Sequence, residues 1–312
     1  MDKIISNIVF TKNRPLQLHA YLESLYRYFP AELIQTYIIY KVELFGDEYE
    51  SLFQKYHDCV VVKEHDFHSD FLSILNDVTT KYILFGVDDV VFFDSVDFSV
   101  IDRTFNEHPQ DIFGFSLRFG SDAEFMENGT DNVTDITIEG QTVHRLNWKT
   151  GQAPHTRYPF ELCSTIYSTD LVKKVVSGTI DNNSIIRTLF SPNSILIKAL
   201  SNVISTRSVL KSFGFFFSPN TLESWNCRWC QRHAEQLAEH LYFQKLCASA
   251  IQVNMVNTST NNKANGTEQH TVEALNEKYR QGYRLDIDSV VNNKPKQTHC
   301  DSEFFKLVKC DT

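Results

Sequence analysis

Two adjacent carboxylates, Asp88 and Asp89, close the apolar run YILFGV and precede VVFF. Neighbouring acids at the end of a buried strand repel one another and lose hydration, so a cation beside them accounts for the pair. Mg²⁺ and Mn²⁺ suit such a place, because a small hard cation is commonly held by one or two carboxylates plus the phosphates of a substrate. The alternative is a solvated turn in which one Asp caps the next helix. A second arrangement, Cys227 and Cys230 with His233 and His240 downstream, has half of a zinc motif. Structural zinc needs about four converging ligands. Cys300 and Cys310 do not repeat the spacing, so these residues read as ordinary thiols. The chain contains no GxGxxG, GxxxxGK[ST] or GxSxG phrase, which leaves dehydrogenase, P-loop and α/β-hydrolase chemistry without local support.

The elements that must position the acids follow from hydrophobic periodicity. Residues 4–10 read as a buried strand, and Leu18, Leu22, Leu25 and Phe29 then recur at helical spacing over residues 16–28. Strands over 36–40, 59–63 and 81–87 alternate with helices over 48–56 and around Phe67, Phe71 and Val78. Strands separated by helices imply an α/β fold with a mainly parallel, Rossmann-like central sheet flanked by helices. Ligands in such sheets gather at the carboxyl ends of the strands, beside a topological switch point. The loops TKNRP and VDDVVF are both expected on that edge. Further along, the pattern predicts a helix over 97–107, a strand over 112–118, a hairpin leading to Trp148, and helices after Asp170 and Leu222.

Composition narrows the classes. The chain has 312 residues, a formal charge of −9, 42% hydrophobic and 22% charged residues. That is ordinary for a folded protein and lacks the basic surface that nucleic-acid binding requires. No window approaches a membrane span, and the first residues lack the order of a signal peptide, so the expectation is a cytoplasmic protein, with peripheral membrane contact left open. Seven cysteines, an odd number, fit reduced thiols better than a disulfide framework. The sequons at Asn128, Asn132, Asn257 and Asn265 then carry no glycosylation meaning. The polar run near 256–270 has the composition of a flexible loop and is expected to close over a ligand.

Five phrases, IVFTKNRPLQLHAYLESL, YILFGVDDVVF, FSLRFG, YPFELCSTIY and SPNTLE, occur in an order that resembles the glycosyltransferase family 2-like proteins, whose catalytic domain has the GT-A fold. The resemblance runs from about residue 4 to 224 and weakly into LNEKYRQGYRLDID. It implies a GT-A-type catalytic domain over 1–235 and a helical and loop-rich C-terminal extension over 236–312. It further implies transfer of a sugar from a nucleotide-diphosphate donor to a glycan or lipid-linked acceptor, assisted by Mn²⁺ or Mg²⁺. Asp89 is then the direct metal ligand, and Asp88 contacts the donor ribose or the water shell of the metal. Thr11, Asn13 and Arg14 line the nucleotide pocket, with Glu64 and Arg118 as further donor-side candidates. Taken alone, TKNRP is also a polar turn whose Pro15 starts a helix.

Inverting transfer needs a carboxylate to take the acceptor proton. The late acidic position of the family falls on Glu223, with Glu161 as the second candidate; an acid in the first turn of a helix also favours the macrodipole. Where the family has Asp-Gly, this chain has Cys163 and Ser164. That departure motivates an alternative, a catalytically degenerate GT-A domain that binds a nucleotide sugar or a partner without turnover. A nucleotidyltransferase, the third reading, would show a glycine-rich loop after the first strand, and TKNRP has no glycine.

Overall fold

Residues 5–11 are buried without interruption, the mark of a strand covered on both faces, and Ile5–Lys12 (β1) lies inside a nine-stranded sheet. The structure, a computed structural model, describes residues 2–123, 133–138, 140–180, 215–254, 256 and 266–310. Helix α1 (Pro15–Tyr28) starts on Pro15, whose missing amide hydrogen costs nothing in a first turn, and buries Leu18, Tyr21, Leu22 and Leu25. Parallel strands β2 (Ile34–Lys41) and β3 (Val60–Lys63) add outward on one side of β1. Helices α2 (Gly46–Lys55) and α3 (Phe67–Asp77) make the connections. Strand β4 (Tyr82–Val87) then returns to the other side of β1, also parallel to it. The chain therefore reverses its direction of growth between β1 and β4, and a crevice opens at their carboxyl ends.

The remaining strands of the large sheet are β6 (Ile112–Ser116), β7 (Val133–Ile138), β8 (Gln141–Leu146), β9 (Thr165–Ser168) and β10 (Glu239–Phe243). They complete the order β3-β2-β1-β4-β9-β6-β10-β8-β7. Among the described residues only β8 and β9 run against the others, so seven of these nine strands point one way. Helices α4 (Phe98–Glu107), α5 (Thr169–Thr179) and α6 (Pro219–Arg232) cover its faces. Close passage explains one glycine: a Cβ on Gly86 of β4 would strike the ring of Tyr21, whose hydroxyl crosses to donate to Asn7 Oδ1 at 2.7 Å.

Several expectations are revised. Thr11 and Lys12 belong to β1 rather than to a turn after it. The turn at Asp88 and Asp89 leads into strand β5 (Val90–Phe92), so neither acid caps a helix. The strand expected over 112–118 ends at Ser116. Ahead of the SPNTLE turn, Phe215, Phe216 and Phe217 lie outside any strand; the rings of Phe215 and Phe216 pack on His68, and the Phe216 amide donates to its Nδ1 at 3.2 Å. Helix α6 begins at Pro219, a little before the helix expected after Leu222, with Ser218 as its cap, and the Thr221 hydroxyl accepts from the Ser218 amide at 3.0 Å.

Strand β10 lies between β6 and β8, so the sheet extends past residue 235 into the expected extension. Beyond it, β11 (Ala248–Ile251) joins β5 and β13 (His299–Cys300) in a three-stranded sheet. Helices α7 (Val272–Arg280) and α8 (Ile287–Asn293) and strands β12 (Tyr283–Leu285) and β14 (Leu307–Lys309) follow. Leu275, Tyr279, Ile287 and Val290 share one core with Leu16 and Ala20 of α1 and with Val91 of β5. Most of the loop expected near 256–270 lies outside the described residues.

Candidate active site

The acids sit at the crevice between β1 and β4, and the end of β1 holds one of them firmly. Asp88 is buried; its Oδ2 accepts from the Thr11 hydroxyl at 2.8 Å and from the Lys12 amide at 3.4 Å, and its Oδ1 from Arg14 Nη1 at 2.8 Å. Asp89 is held far more loosely. Its carboxylate meets Arg14 Nη1 at 3.4 Å and retains 18% of its side-chain exposure. Burial pushes its pKa up to about 6, with Asp88 adding to the rise and Arg14 opposing it. The cation next to the pair in the structure is thus Arg14, which spans both acids and donates through Nη2 to the Asn254 carbonyl at 2.7 Å.

Tyr49 of α2 organises this corner. Its hydroxyl accepts from the Arg14 amide at 2.9 Å and bonds the Thr11 hydroxyl at 2.7 Å. In sequence Tyr49 reads as core, because it shares a helical face with Leu52. Asn254 was equally hidden. It accepts from Gln17 Nε2 at 3.3 Å and donates to the His270 carbonyl at 2.8 Å, contacts with distant segments that no local pattern signals.

A second cluster lies where the segment after Tyr158 crosses the end of β4. Glu223 of α6 accepts from the Leu162 amide at 3.1 Å, and Glu161 from the Cys163 amide at 2.6 Å, so two carboxylates hold successive peptide groups. Glu161 is buried against Arg118, Nε to Oε2 3.2 Å, whereas Glu223 and Cys163 are only half-buried. Burial, then the charge of Glu161, raises the Glu223 pKa to about 7 against the pull of Arg118. The Cys163 thiol is held well above its ordinary range by burial, Glu161 and Glu223, with Asp89 also contributing, so it is neutral and lies within electrostatic reach of both clusters. Ser164 follows with φ of 80°, its amide bonded to the Phe85 carbonyl of β4 at 3.1 Å.

The structure therefore gathers Thr11, Arg14, Asp88 and Asp89 in one cluster, and Arg118, Glu161 and Glu223 in a second that borders it. Asn13 points elsewhere: its Oδ1 accepts from the amides of Glu43 and Leu44 at 2.9 and 3.1 Å, which fixes the turn after β2. Glu64, just beyond β3, accepts from Lys41 Nζ at 2.9 Å. Cys227 and Cys230 are buried in the core beneath α6, and among the described residues no group of three or more His, Cys, Asp or Glu side chains is placed to hold a metal by itself.

No protein-family profile matches the chain. A curated relative, the bifunctional glycosyltransferase pgtA of Dictyostelium discoideum, is 21% identical over 206 residues, 60% of this chain and 26% of the relative. The chain thus spans about a quarter of the length of the curated relative it matches. Among solved structures, S. aureus TarS 1–349 in complex with UDP aligns with 94% of this chain and 75% of its own at 14% identity and a TM-score of 0.45. The mannosyltransferase PcManGT from Pyrobaculum calidifontis, in complex with GDP-Man and Mn2+, aligns with 75% of this chain and 71% of its own at 8% identity and a TM-score of 0.37. No helix among the described residues is long and apolar enough to cross a membrane. The chain is thus similar in sequence to a curated glycosyltransferase, and its fold is a mainly parallel α/β sheet flanked by helices.

Proposed function

We propose that this protein moves a sugar from a nucleoside-diphosphate donor onto a hydroxyl of a glycan or lipid-linked acceptor with inversion, in cell-surface glycan or polysaccharide assembly. The observation that carries the reading is the unequal pair of acids. Asp88 is locked by Thr11, Lys12 and Arg14, while its neighbour Asp89 remains accessible at the crevice, bordered by the Glu223 cluster. One loosely held carboxylate fits a Mn²⁺ or Mg²⁺ ion whose other ligands are diphosphate oxygens and water. Such an ion would supply positive charge against the departing diphosphate. Thr11 and Arg14 orient the acids, and Asp88 faces the ribose or the water around the ion. Glu223, with a pKa near 7, takes the acceptor proton, and the Arg118–Glu161 pair holds the segment that Glu223 touches. Its seven unpaired cysteines suit a reducing, cytoplasmic setting.

The neutral thiol of Cys163, where the resemblance implies an acid, favours a second reading in which the donor is bound without turnover. One panel separates the two. Wild type is expected to bind UDP or GDP more tightly with Mn²⁺ in calorimetry, and Asp89→Ala to lose that metal-linked gain while its melting curve stays cooperative. Glu223→Gln should lower turnover of a nucleotide sugar by about 10² to 10⁴-fold with donor affinity unchanged. The wild-type rate should climb as pH rises through about 7. Binding without any turnover leaves the second reading, and equal affinity with and without Mn²⁺ for every nucleotide defeats the metal assignment.

A further inference from the structure

Arg14 occupies the place of a cation between the paired acids. Its Nη1 lies 2.8 Å from Asp88 Oδ1 and 3.4 Å from Asp89 Oδ2, so one nitrogen serves both carboxylates. The two contacts are unequal. The first has the length of a charge-assisted hydrogen bond, and the second is longer than a well-made one. Elsewhere the guanidinium is tied at a single point: Nη2 donates to the Asn254 carbonyl at 2.7 Å, and the buried Nε has no hydrogen-bond partner among the described residues. The backbone beneath is fixed, since the Arg14 amide donates to the Tyr49 hydroxyl at 2.9 Å and its carbonyl accepts from the Leu18 amide at 3.0 Å. Side chain and main chain are therefore held independently. The side chains of Arg14 and Asp88 keep 9% and 6% of their exposure and that of Asp89 18%, so water screens the charges here only weakly.

We propose that Arg14 is a resident competitor for the metal: its guanidinium holds Asp89 against a divalent ion that arrives alone, and yields that carboxylate when the diphosphate of a donor offers the guanidinium another partner. This rests on the metal-assisted reading above. Two carboxylates against one guanidinium leave a single negative charge at the turn, and a hard divalent ion would have to shed water beside the positive Nη1 to use it. A nucleoside diphosphate changes the balance, because it brings further negative charge and paired oxygens that suit a guanidinium fork. The contact given up is the loose one at Asp89. Bonds to Asp88 and to the Asn254 carbonyl keep the guanidinium beside the crevice meanwhile. Ion and nucleotide then tighten one another by the same factor, as linkage requires.

The test uses the full chain and reads Mn²⁺ binding without nucleotide by electron paramagnetic resonance. Two neutral replacements, Arg14→Gln and Arg14→Met, should bind Mn²⁺ alone about tenfold or more tightly than wild type, the gain expected when a like charge is taken from beside the ion. Arg14→Lys, which keeps the charge, should bind it as weakly as wild type. Cooperative melting curves report which variants fold. Calorimetry of UDP and GDP with and without Mn²⁺ should show a large gain from the ion in wild type and a smaller one in the neutral variants. The proposal is overturned if the folded neutral variants bind Mn²⁺ alone no tighter than wild type, or if lysine behaves as they do. A wild type that binds nucleotide yet holds Mn²⁺ as tightly without it also overturns the proposal, and that result needs no variant. If the nucleotide affinity of wild type rises with Mn²⁺ while the neutral variants gain nothing, only the competitor falls and the metal-assisted reading stands. If the neutral variants gain the ion in a protein that binds no nucleotide, the competitor stands and the donor reading falls.

Discussion

Ser164 carries a side chain where the backbone asks for none. Its φ of 80° is a left-handed value, and its hydroxyl is buried without a hydrogen-bond partner among the described residues. A residue with a Cβ in that region costs about 1–2 kcal/mol, and a stranded buried hydroxyl adds to it. The conformation is imposed from both sides, because the Ser164 amide bonds Phe85 of β4 and its carbonyl accepts from the Leu117 amide at 3.0 Å. Ser164→Gly should therefore stabilise the protein by about 1 kcal/mol after the extra freedom of glycine in the unfolded chain is subtracted. Differential scanning calorimetry should register a rise of a few degrees, and an unchanged or lower midpoint would show that the turn is not strained. The sequence pointed to this place only through the resemblance, as a serine where an Asp-Gly pair is implied. Asp88 and Asp89 were legible by themselves, since paired acids after six apolar or small residues are chemically conspicuous. Tyr49 and Asn254 were not, because their importance lies in bonds to Arg14 that only tertiary structure creates.

At the scale of elements, the first four strands and three helices could be read closely from the sequence, because short runs of β-branched and aromatic residues alternate with amphipathic ones. The reading weakened where partners are distant. β11 and β13 are four and two residues long, and no local pattern announces that they extend a sheet from β5. The same distance hides a brace: the Arg14 and Asn254 contact joins residues 240 positions apart. Asn254 fastens the end of β11 to α1 through Gln17 and to the start of α7 through the His270 carbonyl. Asn254→Ala should cost about 1–2 kcal/mol of stability through those two side-chain bonds. It should also weaken UDP binding several-fold by loosening Arg14, measured by urea titration and calorimetry on one preparation. Lost stability with wild-type affinity would mean that Arg14 is positioned by the acids alone.

For the molecule as a whole, buried titratable groups set the response to acid. His19, His155, His240 and His299 have native pKa values of about 3, 4, 4 and 3, each lowered first by burial. Groups depressed in this way lend stability above their unfolded value of about 6.5 and lose it as pH falls. Asp89 and Glu223 act oppositely, since their native values of about 6 and 7 lie above the unfolded ones and their contribution fades as pH rises. Near pH 5 unfolding thus protonates four histidines and deprotonates two carboxyls, a net uptake of about two protons. Stability should fall by about 2.7 kcal/mol for each pH unit between 6 and 5. Urea midpoints across that interval check the sign, and a flat or rising trend would contradict it.

The position of β10 also governs how the chain is born. Strands β1 to β4 can pair as soon as residue 87 has left the ribosome, because their partners are all encoded before it. Strands β6 and β8 have no such freedom, since the strand that separates them ends at Phe243. Through the synthesis of almost a hundred further residues after β8, counted from Leu146 to Phe243, both present open hydrogen-bonding edges to the cell. Strand edges left unpaired for that long are the kind that aggregate or attract chaperones before their partner arrives.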